Sequence, residues 1–218
     1  MTPVLGDYHH GGTTVVHVTR TETPLGVVHV ASFAQGVCAL VFDDRAEGLE
    51  PRLRRAFGPF FRLDAGDPLD VAGHLSDYFA GRADALAALP VAAPATPMQR
   101  RVWDMVREVP AGEVTTYAAL AERMGMPRAQ RAVGVCLASN PVPILVPCHR
   151  VIAASGGLGS HPGGVGVKAA LLRHEGAVPV HDLCAARTMR QRLAARDRAR
   201  MDPRDTVELV SLPLAVGG

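Results

Sequence analysis

Asn140-Pro141-Val142-Pro143-Ile144-Leu145-Val146-Pro147-Cys148-His149-Arg150-Val151-Ile152 is the stretch on which the reading of this chain turns. Its three prolines remove backbone donors and fix φ, so the segment cannot be a regular helix. It reads instead as a rigid, largely apolar platform that ends on a thiol with an imidazole beside it. Such a pair suits an activated nucleophile. It also suits a buried cysteine next to a surface histidine, because free cysteine packs as a small hydrophobe. The pair alone leaves both readings open, and the flanking sequence separates them.

Upstream, Met98 to Val109 predicts a helix with Val102, Trp103 and Val106 on one face, stopped by Pro110-Ala111-Gly112. A second helix is expected from Thr116 to Met124, ended by Gly125 at the position that favours a left-handed residue. Pro127 is expected to open a third helix running to about Ser139, closed by Asn140-Pro141. Two short helices about Gly125-Met126 make a helix-turn-helix pattern of the winged-helix kind. Downstream, Gly156 to Gly164 must be a loop, and Lys168 to Glu175 predicts a short helix stopped by Gly176.

The first third alternates apolar and polar residues over 14–19 and 27–31, and with 37–42 this predicts an antiparallel meander of three strands. Helices are expected over Glu47–Phe57 and Asp70–Arg82, and Ala83–Pro97 reads as a linker rich in Ala and Pro. The expected class is therefore α+β. A small N-terminal antiparallel-sheet domain (1–93) precedes a mainly helical domain (94–176), and a C-terminal extension follows (177–218).

Charge follows this division. Residues 1–93 carry seven Arg against eleven acids, a net of −4; residues 94–176 carry nine basic residues against five acids, a net of +4. Any polyanionic partner belongs on the second half. Arg187, Arg190, Arg192, Arg196, Arg198 and Arg200 in the extension read as a solvated charged helix or tail. Lys168, the sole lysine among 23 basic residues, reads as a mark of genome composition. The four cysteines lack Cys-x-x-Cys pairing, which suits free thiols in a reducing cytosol. Neither a signal peptide nor a membrane span is visible, so a cytoplasmic location is expected. His9, His10, His17 and His29 match no zinc spacing.

Taken in order, Thr116-Tyr117, Arg131-Ala132-Val133-Gly134, Asn140-Pro141, Pro147-Cys148-His149-Arg150-Val151-Ile152, Gly163-Gly164, Leu171-Leu172 and Glu175-Gly176 resemble the O6-alkylguanine-DNA alkyltransferase family. The resemblance is dense over 94–176; the first domain resembles the family in layout, a ribonuclease-H-like sheet with helices. It implies irreversible, stoichiometric transfer of an alkyl group from guanine O6, and from thymine O4, to Cys148. His149 would take the thiol proton through a bridging water, and Glu175 would hold the other imidazole nitrogen. Asn140 would tie the third helix to the platform. Tyr117 would turn out the target nucleotide and protonate the leaving guanine. Arg131 would fill the vacated space, while Ala129, Ala132, Gly134 and Ala138 let the helix approach the minor groove. Arg123, Arg128 and Arg150 are candidates for phosphate contact or for salt bridging.

Pro143, Leu158, Gly159, Ser160 and His161 would line the guanine pocket. His161 stands where most members carry tyrosine, and protonation of its imidazole is expected to make binding depend on pH. Gly163 stands where some bacterial members carry tryptophan. With Pro143 and Gly159, it predicts an open pocket that admits groups larger than methyl. The substrate brings the group to be transferred, so the resemblance implies no cofactor and no metal. The partner implied is double-stranded DNA carrying O6-alkylguanine, with no membrane and no obligate protein partner. A sensor that binds alkylated DNA without repairing it is the alternative; relatives of that kind lack the cysteine. An unrelated cysteine hydrolase would use Cys148-His149-Glu175 but shows no oxyanion-hole signature.

Overall fold

A computed structural model of the protein describes residues 14–59 and 61–177. His9, His10, Cys184 and the arginine-rich extension lie outside the described residues.

The expected alternation gives three strands, β1 (Thr14–Thr23), β2 (Gly26–Phe33) and β3 (Gly36–Phe42), paired antiparallel with Thr19 opposite Val30 and Val28 opposite Phe42. Both hairpins turn at glycines with positive φ, Gly26 at 102° and Gly36 at 143°. A fourth strand, β4 (Phe61–Ala65), pairs parallel to β1 and makes the sheet mixed, in the order β3-β2-β1-β4. The antiparallel meander is therefore only part of the sheet. With just five residues and no strict alternation of buried and exposed positions, β4 carries too weak a periodic signal to stand out.

Side chains alternate across the sheet. Cys38, Ala39 and Val41 pack with α1 (Leu49–Phe57), while Val37, Leu40 and Phe42 join the larger core that holds the C-terminal helices. Every residue of β3 is buried, because both faces and the edge are covered. On that edge the Val37 amide donates to Pro90 O (2.9 Å) and the Leu40 amide donates to Pro141 O (2.8 Å). Leu86, Leu89, Ala92 and Ala93 are buried in the two cores. Residues 83–97 are thus a packed strap and not a free spacer. An Ala- and Pro-rich composition fits both, and only the edge pairing decides.

After α2 (Val71–Phe79), the second half contains α3 (Pro97–Arg107), α4 (Tyr117–Arg123), α5 (Gln130–Ala138) and α6 (Gly164–His174). A two-stranded parallel ribbon joins β5 (Thr115–Thr116) to β6 (Val151–Ile152). A Thr96–Gln99 capping box starts α3. Gly125 takes φ 72° beyond α4, as the sequence requires. Pro127 does not open α5: it occupies a tight turn in which the Ala129 amide donates to Met126 O (2.8 Å), and the helix begins at Gln130. α6 begins four residues before its expected start, through glycines of low helix propensity, because Lys168, Leu171 and Leu172 pack into the core. Among the described residues no helix is long and apolar enough to cross a membrane.

Candidate active site

Three elements converge on Cys148. The first is the end of α5, held by α3: Trp103 Nε1 donates to Cys136 O (2.8 Å) and Gln99 Nε2 donates to Ser139 Oγ (2.8 Å). The second is the proline platform. The third is the end of α6.

Asn140, 1 % exposed, joins the first two. Its amide donates to Val146 O (2.9 Å) and to Cys148 Sγ (3.2 Å), and its carbonyl oxygen accepts from the Val142 amide (3.0 Å). Between them Ile144 is held at φ 75°, a conformation costly for a β-branched residue, which persists because its side chain is locked in the core.

Cys148 opens a single 3-10 turn, Cys148–Arg150, that leads into β6. Burial pushes its thiol up to about 11, although the Asn140 amide and the charge of Lys168 pull the other way. The resting group is therefore a neutral thiol, and reaction requires a base.

His149 is fully buried, and burial pushes its imidazole below the ordinary range against the pull of Glu175. Its Nε2 lies 3.0 Å from Glu175 Oε1. An ionised carboxylate only accepts, so Nε2 carries the hydrogen and Nδ1 keeps a lone pair. That Nδ1 is buried and finds no partner among the described residues. Burial alone would raise the Glu175 carboxyl; hydrogen bonds and charge from His149 and Arg150 hold it far below the usual range instead.

Arg150 is buried, not a phosphate contact. Its Nε and Nη2 grip the Glu175 carboxylate at 2.9 and 2.7 Å, and Nη1 donates to Val109 O at 2.6 Å. Arg123 pairs with Glu108 at 2.6 Å on the surface. Arg128 and Arg131 are exposed and form no salt bridge among the described residues, with Arg131 in the first turn of α5.

Tyr117 is the first residue of α4 and is half-buried. Its phenol is raised first by burial and then by the charge of Cys148. A Cβ on Gly159 (φ 69°) would approach the Tyr117 hydroxyl to 3.0 Å, and one on Gly134 would reach the ring at 3.8 Å. Tyr117 is therefore flanked by α5 and by the 156–163 loop. Leu158 is half-buried, Ser160 is exposed, Pro143 is buried in the platform, and Ala129 and Ala132 are half-buried on the α5 side.

Two expectations about the pocket are corrected. His161 is buried, and its Nδ1 accepts the Gly163 amide (3.1 Å). Burial first, then the charges of His149, Lys168 and Arg45, push its imidazole down to about 3. It stays neutral through the physiological range, so its protonation gives no pH dependence there. Gly163 does not open the pocket either: a Cβ there would lie 2.6 Å from Phe42 Cε2 and 3.0 Å from Val167 Cγ1. The absent side chain makes room for a ring of β3.

Sequence reasoning missed two members of the cluster. Lys168, read as compositional, is fully buried and donates to Val151 O (2.5 Å). Burial lowers its ammonium to about 8, while the charge of Cys148 opposes that. Its signal was present, as the one position where an arginine-rich chain keeps lysine. Tyr78, on α2, donates its hydroxyl to Glu175 Oε1 at 2.6 Å. Nothing local in the sequence pointed to it. Among the described residues no group of His, Cys, Asp and Glu could hold a metal ion.

Comparison with known proteins matches this geometry. Residues 97–177 fit the family model described as 6-O-methylguanine DNA methyltransferase, DNA binding domain. A methylated-DNA–protein-cysteine methyltransferase of Salmonella typhimurium is 41% identical over 161 residues, 72% of this chain and 94% of the relative. The human protein of that name is 34% identical over 166 residues, covering 72% and 79%. The crystal structure of Mycobacterium tuberculosis OGT in complex with DNA superposes with a TM-score of 0.62 at 30% identity, covering 77% of this chain and 99% of that one. The likeness spans 72% of this chain and most of each relative, and the chain belongs to the methylated-DNA–protein-cysteine methyltransferase family.

Proposed function

We propose that this chain repairs alkylated DNA by moving the alkyl group from guanine O6, and from thymine O4, onto Cys148 in one irreversible turnover. The observation that carries this reading is the cluster in which Asn140 donates to the Cys148 sulfur while Glu175 holds the neighbouring imidazole. The Cys148 sulfur attacks the alkyl carbon in line as the carbon–O6 bond breaks and its electron pair passes to the guanine. The thiol proton passes to Nδ1 of His149, and the departing base takes a proton from the Tyr117 hydroxyl. Burial makes the resting thiol a poor nucleophile, and the Asn140 amide and Lys168 ammonium offset part of that penalty as negative charge develops. The thioether product is not reversed by any group in the cluster, so each molecule reacts once.

Residues 94–176 carry this chemistry, and 1–93 brace it. The target atom is shielded inside a duplex, so the nucleotide must be extruded at a cost of about a few kcal/mol. Arg131, exposed and free of salt bridges among the described residues, fills the gap from α5 while the small residues of that helix enter the minor groove. Arg128 contacts phosphate. The protein works in the cytoplasm.

Intact-mass measurement after mixing with a duplex carrying O6-methylguanine tests the reading. The expected result is a permanent gain of one methylene on Cys148, abolished by Cys148→Ala. Binding without a mass change would instead identify a sensor, and indifference to the DNA would favour a hydrolase.

A further inference from the structure

Glu175 accepts four hydrogen bonds, and one comes from outside the half of the chain that carries Cys148. Oε2 takes Arg150 Nε, while Oε1 is shared by Arg150 Nη2 (2.7 Å), His149 Nε2 (3.0 Å) and the Tyr78 hydroxyl (2.6 Å). Tyr78 is 1 % exposed, and its ring stacks edge-on against His174 and Phe79, with centroids 5.0 Å apart in each case. Its own carbonyl accepts from His174 Nε2 at 2.9 Å. α2 is therefore latched to the end of α6 at two points beside the carboxylate.

We propose that Tyr78 is a positioning residue for the transfer: its hydroxyl sets how much of the Glu175 charge reaches His149. This rests on the reading above, in which His149 takes the thiol proton. Donors on one oxygen compete, because each draws electron density from it. The phenol is a permanent competitor, since burial first and then the Glu175 charge hold it far above its ordinary range. Weakening that donor strengthens the His149 Nε2–H···Oε1 bond and makes the imidazole a stronger base, while Arg150 keeps the carboxylate in place. Strengthening it does the reverse. The N-terminal domain thereby takes part in tuning the base, beyond supporting the fold.

The test compares the wild type, Tyr78→Phe and a protein with 3-fluorotyrosine, a more acidic phenol, at position 78 only. The Nε2–H proton resonance of His149, read in unreacted protein labelled with 15N-histidine, is expected to move downfield in Tyr78→Phe and upfield with the fluorophenol. Single-turnover transfer from an O6-methylguanine duplex is expected to rise roughly fivefold in Tyr78→Phe and to fall with the fluorophenol, at unchanged DNA affinity. A merely structural tyrosine would lower the melting temperature and leave the resonance in place. If Tyr78→Phe fails to fold, the fluorinated protein keeps the ring and decides alone. A wild-type resonance in the folded variants overturns the proposal while leaving the transfer reading intact. Shifted resonances in a protein whose Cys148 never gains an alkyl group would uphold the coupling and sink the transfer reading.

Discussion

Asn140 Nδ2 lies 3.2 Å from Cys148 Sγ, and the same side chain closes the turn that carries the chain from α5 into the platform. One amide thus fixes the nucleophile relative to the helix proposed to enter DNA. Removing it in Asn140→Ala leaves the Val142 amide unpaired in a buried site and the Val146 carbonyl with the Cys148 amide alone. The expected cost is about 1–3 kcal/mol in urea unfolding. Reaction of Cys148 with iodoacetamide should also need a higher pH than in the wild type. Unchanged stability and an unchanged thiol profile would remove Asn140 from both roles.

Glu175 predicts the acid behaviour. Its folded-state carboxyl is held below its unfolded value, so the stability it contributes is full above the unfolded pKa and is lost as pH falls toward the folded one. Glu175→Gln should begin roughly 3–5 kcal/mol less stable at neutral pH, because Arg150 keeps a buried charge without its partner. It should also lose stability less steeply than the wild type below about pH 4.5, the ordinary value for a glutamate carboxyl. Denaturant midpoints measured across pH 3–7 check both slopes, where about 1.4 kcal/mol corresponds to one pKa unit.

Gly163 and Phe42 should behave as a coupled pair. Gly163→Ala places a methyl group 2.6 Å from the Phe42 ring, and overpacking of this kind costs about 1–3 kcal/mol. Phe42→Leu should recover part of that loss in the double variant, a non-additivity read from a thermal double-mutant cycle. Strict additivity would mean that the methyl group points elsewhere.

Arg131→Ala should separate extrusion from chemistry. The side chain is exposed, so stability should stay within about 0.5 kcal/mol of the wild type. Transfer from a duplex is expected to fall by about ten- to a hundredfold, the scale set by a few kcal/mol of extrusion cost. Reaction with the free base benzylguanine should change less than about twofold, since nothing then has to be unstacked. Equal losses on both substrates would place Arg131 in the chemical step.

His161 should not shape the pH profile. With its imidazole pushed down to about 3, His161→Phe should leave the form of the single-turnover rate between roughly pH 5 and 8 unchanged, whatever it does to the height. Loss of an acid limb in that variant would show that the imidazole titrates in the working range.

The proline platform, the glycine that ends α4 and the alternation behind β1 and β2 were legible in the sequence. Each depends on neighbours a few residues away: a ring that fixes φ, a residue that tolerates positive φ, or a period of two. The same local logic marked Cys148, His149 and Glu175 once their spacing was set beside a known family. It did not reach the contacts that cross the fold. Tyr78 is 97 residues from Glu175, and Gly163 makes space for a ring on β3. Lys168 becomes a buried neighbour of the nucleophile, and β4 finds its parallel partner in β1. Periodicity says which face of an element turns inward but not what meets it there. That choice is made by packing all the faces together, so the sequence named the reactive atoms and the tertiary structure set the charges and donors around them.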